Sequence, residues 1–118
     1  MDIVADVVVG LVAALHLYFL VLEMFLWARP FGRKTFGLTP EFAAASKALA
    51  ANQGLYNGFL AAGLAWGLSL GSAGHGVKLF FLGCVIVAGV FGALTVSRRI
   101  FFVQAVPALA AVAALMLR

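Results

Sequence analysis

The chain has 118 residues, of which 65% are hydrophobic and 10% charged, with a formal net charge of +4 and a mean hydropathy of +1.14. A soluble domain averages about 45–50% apolar residues, so a water-soluble fold is excluded, and the single Cys84 excludes an internal disulfide or a multi-cysteine metal site. Because the basic residues stand at the ends of apolar runs, they set membrane orientation and do not read as a nucleic-acid surface.

Four apolar stretches, near 3–28, 42–70, 77–97 and 99–117, each reach the roughly 20 helical residues that cross a hydrocarbon layer of about 30 Å. They predict an all-α fold, a four-transmembrane-helix bundle forming one membrane domain over residues 1–118. Arg29, Arg33, Lys34, Lys47, Arg98 and Arg99 fall on one side of such a bundle, against Lys78 and Arg118 on the other. This bias predicts loops 1–2 and 3–4 in the cytoplasm, both termini outside and a single orientation. The start Met1-Asp2-Ile3-Val4-Ala5-Asp6 has no basic stretch of the kind that opens a secretory signal, so the first run reads as a retained span.

The first span carries His16 and Glu23 among Val, Leu, Phe and Ala. Its Val, Leu and Phe residues contribute on the order of −4 to −8 kcal/mol to insertion, against a cost of about 3 kcal/mol for a central acid, so the helix inserts with Glu23 in place. Ionisable groups inside hydrocarbon usually mark a site. His16 and Glu23 lie about 700° apart on the helical wheel and so face nearly the same way, but about 10.5 Å of rise separates them. Coupling between them has to pass through water, a ligand or another helix. The span is expected to end at Arg29, ahead of Pro30. The basic connection that follows, with Phe31 and Phe36, reads either as a segment lying on an anionic inner leaflet or as a plain solvated loop.

Thr39-Pro40-Glu41 is a helix start: a capping hydroxyl, a proline suited to the first turn and an acid at the positive helix end. Further along the second helix, Asn52, Gln53, Tyr56 and Asn57 occupy an arc of about 140°, a single polar face. Under the predicted topology Glu23, Asn52, Gln53, Thr95 and Gln104 share a depth in the cytoplasmic half, with His16 deeper, near Tyr56 and Asn57. A pocket open to the cytoplasm is the expectation. Gly63, Gly67 and Gly71 would close the bundle beyond it, while Gly54 and Gly58 would seat a second neighbour. The Gly-rich segment 71–76 reads as a turn with His75 exposed. In the third helix Gly83, Gly89 and Gly92 permit close packing, and in the fourth Pro107 predicts a kink or a break in backbone bonding near Gln104.

The candidate ligand-binding or proton-handling residues are therefore His16, Glu23, Asn52, Gln53, Tyr56, Asn57 and Gln104. The competing reading is a satisfied polar core that fixes helix register, and the protonation states of His16 and Glu23 stay open. No catalytic residue, cofactor or metal is assigned, because the chain has no nucleophile elbow, phosphate loop or redox motif.

Several runs carry a family resemblance: Leu15-His16-Leu17-Tyr18, Leu22-Glu23-Met24-Phe25-Leu26-Trp27, Phe36-Gly37-Leu38-Thr39-Pro40-Glu41-Phe42, Asn52-Gln53-Gly54-Leu55-Tyr56-Asn57-Gly58 and Phe102-Val103-Gln104-Ala105-Val106-Pro107-Ala108. Together they resemble the domain of unknown function 1304 family over nearly the whole chain. The resemblance implies a small bacterial integral membrane protein with four helices, placed in the inner membrane, and it brings no catalytic residues.

Three functions follow from the residues. The first is binding or transport of a small amphipathic or cationic molecule, with Glu23 as charge or proton acceptor and the amides orienting the ligand. In outline this is similar to small multidrug transporters, from which the chain departs in lacking Trp or Tyr in helix three and in its one-sided charge. The second is a membrane enzyme doing isomerase-type proton transfer on a lipophilic substrate, with His16 and Glu23 as acid and base. The third is an accessory subunit of a membrane complex. The partners expected are the lipid bilayer and a small molecule, with no nucleic acid, and a homo-oligomer is left open.

Overall fold

The computed structural model describes residues 2–117, which form helices and turns with no strand among them. In chain order the helices are α1 (Asp2–Met24), α2 (Pro30–Phe36), α3 (Pro40–Ser69), α4 (His75–Thr95), α5 (Arg98–Ile100) and α6 (Val106–Leu117), with a 3₁₀ turn at Gly71–Gly74 and a π-helical turn at Phe101–Ala105.

The first departure from expectation is where α1 stops. The sequence predicts helix to residue 28 and a loop after it, whereas α1 ends at Met24 and a short helix follows. Pro30 does force Arg29 into an extended conformation (φ −80°, ψ 158°), and it then opens α2 from its first turn. Gly32 makes this corner possible, because its α-carbon faces the Leu26 carbonyl so closely that a β-carbon there would overlap it. Gly37, in the left-handed region at φ 66°, ends α2, and the Leu38 N–H reaches the Arg33 carbonyl at 2.8 Å.

Helix α3 starts where its capping residues predict. The Thr39 hydroxyl oxygen accepts the Phe42 N–H at 3.1 Å. Thirty residues later Gly71, at φ 62°, turns the chain through the 3₁₀ segment and directly into α4. His75 is consequently the first residue of α4 and half-buried, not part of an exposed loop. The break expected at Pro107 takes the form of the π turn. The Val106 N–H bonds back five residues to the Phe101 carbonyl, which widens the helix just ahead of a proline that has no N–H to donate.

Ile3–Met24, Gly71–Thr95 and Arg98–Leu117 are each long and apolar enough to cross a membrane by length and composition. The 30-residue α3 has the length but lower apolarity, because Asn52, Gln53 and Asn57 interrupt it.

The chain divides into two compact units. One gathers residues up to Ala13 with those from Leu60 onward, around a core of Ala5, Val9, Val12, Leu64, Leu82, Val85, Ala108, Ala111 and Leu115. Small residues set the helix spacing there: a β-carbon on Gly89 would come within 2.8 Å of Ala105, and one on Gly92 within 2.8 Å of Ile100. The other unit, Ala14–Phe59, contains the C-terminal part of α1, all of α2 and the first part of α3. Large apolar side chains such as Ile3 (80% exposed) and Leu94 (81%) stand open. Exposure of this kind is compatible with a lipid surround and unfavourable for a soluble monomer.

Candidate functional site

Within the unit Ala14–Phe59, the last turn of α1 faces the middle of α3 across a polar contact. Glu23 is 5% exposed, and its carboxylate accepts two hydrogen bonds, from Gln53 Nε2 to Oε2 at 2.6 Å and from Asn57 Nδ2 to Oε1 at 2.5 Å. Gln53 and Asn57 are four residues apart on one helix and so point the same way, one turn above the other. Their amides therefore meet the two oxygens of one carboxylate as a pair. Bonds to a charged acceptor are the strong class, at roughly 1.5–3 kcal/mol each in soluble proteins.

The adjacent glycines let the two helices come close enough for bonds this short. A β-carbon on Gly54 would lie 2.7 Å from Met24 Cγ, 3.1 Å from Glu23 Cβ and 3.2 Å from the Leu20 carbonyl oxygen, and one on Gly58 would lie 2.7 Å from Leu20 Cδ1. The sequence assigns these glycines to a second neighbour, but they abut α1 itself. The contact face of α3 is thus rotated toward Gly54 and Gly58, and it takes only part of the polar arc. Gln53 and Asn57 bond to Glu23, whereas Asn52 is exposed and Tyr56 is 55% exposed with its ring against Phe59 at 5.8 Å.

His16 is fully buried, its ring edge-on to Phe19 at 5.2 Å between centroids. Gln104 lies in the other compact unit, half-buried in the π turn. Thr95, counted at the same depth, donates its hydroxyl to the Phe91 carbonyl of its own helix at 2.7 Å.

Each oxygen of Glu23 accepts one of the two amide bonds, and a carboxylate oxygen has two lone pairs. The geometry leaves acceptor capacity for one further donor at each. The two partners are neutral: amides disperse a negative charge without cancelling it. Among the described residues the ion pair present is elsewhere, between Lys78 Nζ and Asp6 Oδ1 at 3.1 Å.

That ion pair is the polar feature the sequence reading missed. Lys78 counts there as an interfacial charge, yet it is 1% exposed, and its stem lies against Gly67, where a β-carbon would come within 2.6 Å of Lys78 Cγ. Its signal was a glycine in the preceding helix and an acid early in the first one. Among the described residues no group of three His, Cys, Asp or Glu side chains gathers to hold a metal ion.

A family model described as protein of unknown function (DUF1304) matches residues 10–116, so the chain belongs to that family. Among curated proteins and among solved structures, nothing matches it.

Proposed function

We propose that the chain is a four-span inner-membrane protein that binds or transports a small amphipathic or cationic molecule, with Glu23 receiving its cationic group. The observation that carries the reading is a carboxylate within a helix long and apolar enough to cross a membrane, 5% exposed and held by two neutral amides. An acid buried this fully at the end of an apolar span is stabilised by a proton or a cation that neutralises it. The fixed amides orient it, and the spare lone pairs receive the ligand's N–H groups or its charge.

In this reading α3 is the fourth span. At about 1.5 Å per residue its 30 residues extend roughly 45 Å, more than the layer of about 30 Å requires. Insertion of its polar residues is eased where Gln53 and Asn57 are satisfied by Glu23, just as Glu23 is satisfied by them. Four spans return the C-terminus to the side of the N-terminus, and the positive-inside bias then puts Arg29, Arg33, Lys34, Arg98 and Arg99 in the cytoplasm with both termini outside.

Equilibrium dialysis of the purified protein in neutral detergent against a lipophilic quaternary ammonium tests the binding role, since such a cation has no titrating proton of its own. The parent is expected to bind it saturably, and Glu23→Gln, which removes the charge and keeps the shape, to weaken binding by tenfold or more. Equal affinity in the two proteins would remove Glu23 from any cation site.

A further inference from the structure

The corner between α1 and α3 is built as a rigid cationic platform. Trp27 ties it together: its indole Nε1 donates to Ser46 Oγ at 2.9 Å, the Ser46 hydroxyl donates to the Phe42 carbonyl at 2.7 Å, and the indole ring packs on Phe36 at 4.9 Å between centroids. At its other end Gly32 sits against the Leu26 carbonyl with no room for a side chain. The segment is thus tied to α3 through Ser46 and to the turn that follows α1 through Gly32.

What the platform presents outward is chemically uniform. Arg29 and Lys34 are exposed and Arg33 is half-exposed, with no acidic residue between Met24 and Pro40. Phe31 is 55% exposed and stands three residues before Lys34, on the same side of the helix. The Thr35 hydroxyl donates to the Phe31 carbonyl at 2.7 Å, so that side chain folds back on its own helix. An apolar ring beside exposed cations matches the border of a bilayer, where phosphate oxygens lie above acyl carbon.

We infer that the corner 27–36 is a docking site for the headgroup of an anionic phospholipid, with Arg29, Arg33 and Lys34 engaging the phosphate, Phe31 lodged at the acyl border, and Trp27 as the positioning residue. This rests on the membrane placement proposed above and is independent of whether Glu23 binds a cation. Each basic side chain near an anionic surface contributes about a fivefold preference, so three together give a preference on the order of a hundredfold over a zwitterionic lipid.

The test uses the full chain carrying Trp66→Phe, which leaves Trp27 as its one tryptophan, in neutral detergent micelles titrated with brominated lipids that quench indole fluorescence on contact. Brominated phosphatidylglycerol is expected to quench Trp27 at mole fractions on the order of a hundredfold lower than brominated phosphatidylcholine. Arg29→Gln/Arg33→Gln/Lys34→Gln is expected to erase the difference, and Arg98→Gln/Arg99→Gln to keep it. If the triple variant fails to fold, 1 M salt, at which the screening length falls to about 3 Å, is expected to erase the difference in the parent. The proposal is overturned by equal quenching from the two lipids, by a preference that survives both the triple variant and high salt, by loss of preference in Arg98→Gln/Arg99→Gln alone, or by displacement of the lipid with millimolar glycerophosphate, which would make the site one for free phosphate. Failure of the protein to partition into micelles would instead defeat the membrane reading itself.

Discussion

Glu23, Gln53 and Asn57 form a unit in which each residue excuses the others. Without the carboxylate the buried Asn57 amide and the exposed Gln53 amide would each lose the bond seen here, and the carboxylate without them would lose both of its observed partners. Interhelical hydrogen bonds inside membranes measure about 0.6 kcal/mol on average and reach about 1.7, whereas bonds to a charged group in soluble proteins reach about 3. Asn57→Ala is accordingly expected to lower stability by roughly 1–2 kcal/mol in reversible unfolding from mixed micelles. A double-mutant cycle with Glu23→Gln is expected to show a coupling of about 0.5–2 kcal/mol. Additive effects would mean that the two side chains do not act on one another.

The glycines give a second expectation at this scale. Gly54→Ala puts a methyl group 3.2 Å from a backbone carbonyl and is expected to cost about 1–3 kcal/mol, while Gly83→Ala, which meets nothing within 4 Å, stays within about 0.5 kcal/mol of the parent. Thermal unfolding of the two variants side by side checks it. Much of this site was legible in the sequence, because a carboxylate and a cluster of amides are conspicuous among Leu and Ala, and helical periodicity says which of them can face one another. The rotation that selects Gln53 and Asn57 over Asn52 and Tyr56 was not legible. It follows from Gly54 and Gly58 being the narrow side of α3, and a glycine in an apolar helix does not announce which neighbour it admits. Lys78 escaped for a related reason: a lysine near a helix end reads as a snorkelling interfacial charge until Gly67 is seen to hold its stem.

At the scale of elements, prolines and glycines fixed the joints. Thr39 and Pro40 start α3 as their chemistry predicts. Pro30 does so less directly, since it opens α2 and the end of α1 lies one turn earlier. Composition could not reveal that boundary, because Phe25, Leu26, Trp27 and Ala28 are as apolar as the helix before them; what breaks the helix is the return of Gly32 onto the Leu26 carbonyl. Gly32→Ala is therefore expected to be the most damaging single methyl addition in the unit Ala14–Phe59, on the order of 3 kcal/mol, with the Trp27–Ser46 bond lost. Unfolding together with a red shift in Trp27 emission measures both. The π turn gives a converse case. Pro107→Ala restores an N–H able to bond the Val103 carbonyl, and Phe101–Ala105 is expected to relax toward ordinary α geometry, with slower amide exchange around Gln104. Unchanged exchange there would mean that the packing of Gly89 on Ala105, and not the proline, holds the turn open.

For the whole molecule, apolar excess, helix lengths and charge asymmetry carried the all-α membrane reading. The number of spans was less visible, because the polar residues that make α3 interesting also lower its hydropathy below that of its neighbours. In the four-span reading a cysteine introduced at Ser97, in a Cys84→Ala background, reacts with an impermeant maleimide in inside-out vesicles, and a cysteine at Ser72 reacts in right-side-out spheroplasts. Labelling of both from the same side would require an even number of crossings between them and would set α4 outside the bilayer.

The central claim, that Glu23 is a membrane-interior carboxylate poised for a cation, is met most directly by labelling native membranes with a lipophilic carbodiimide and locating the adduct by mass spectrometry. Modification is predicted at Glu23 and not at the exposed Glu41, with saturating quaternary ammonium suppressing it severalfold. Modification of Glu23 that proceeds at the same rate with and without the cation would contradict the claim.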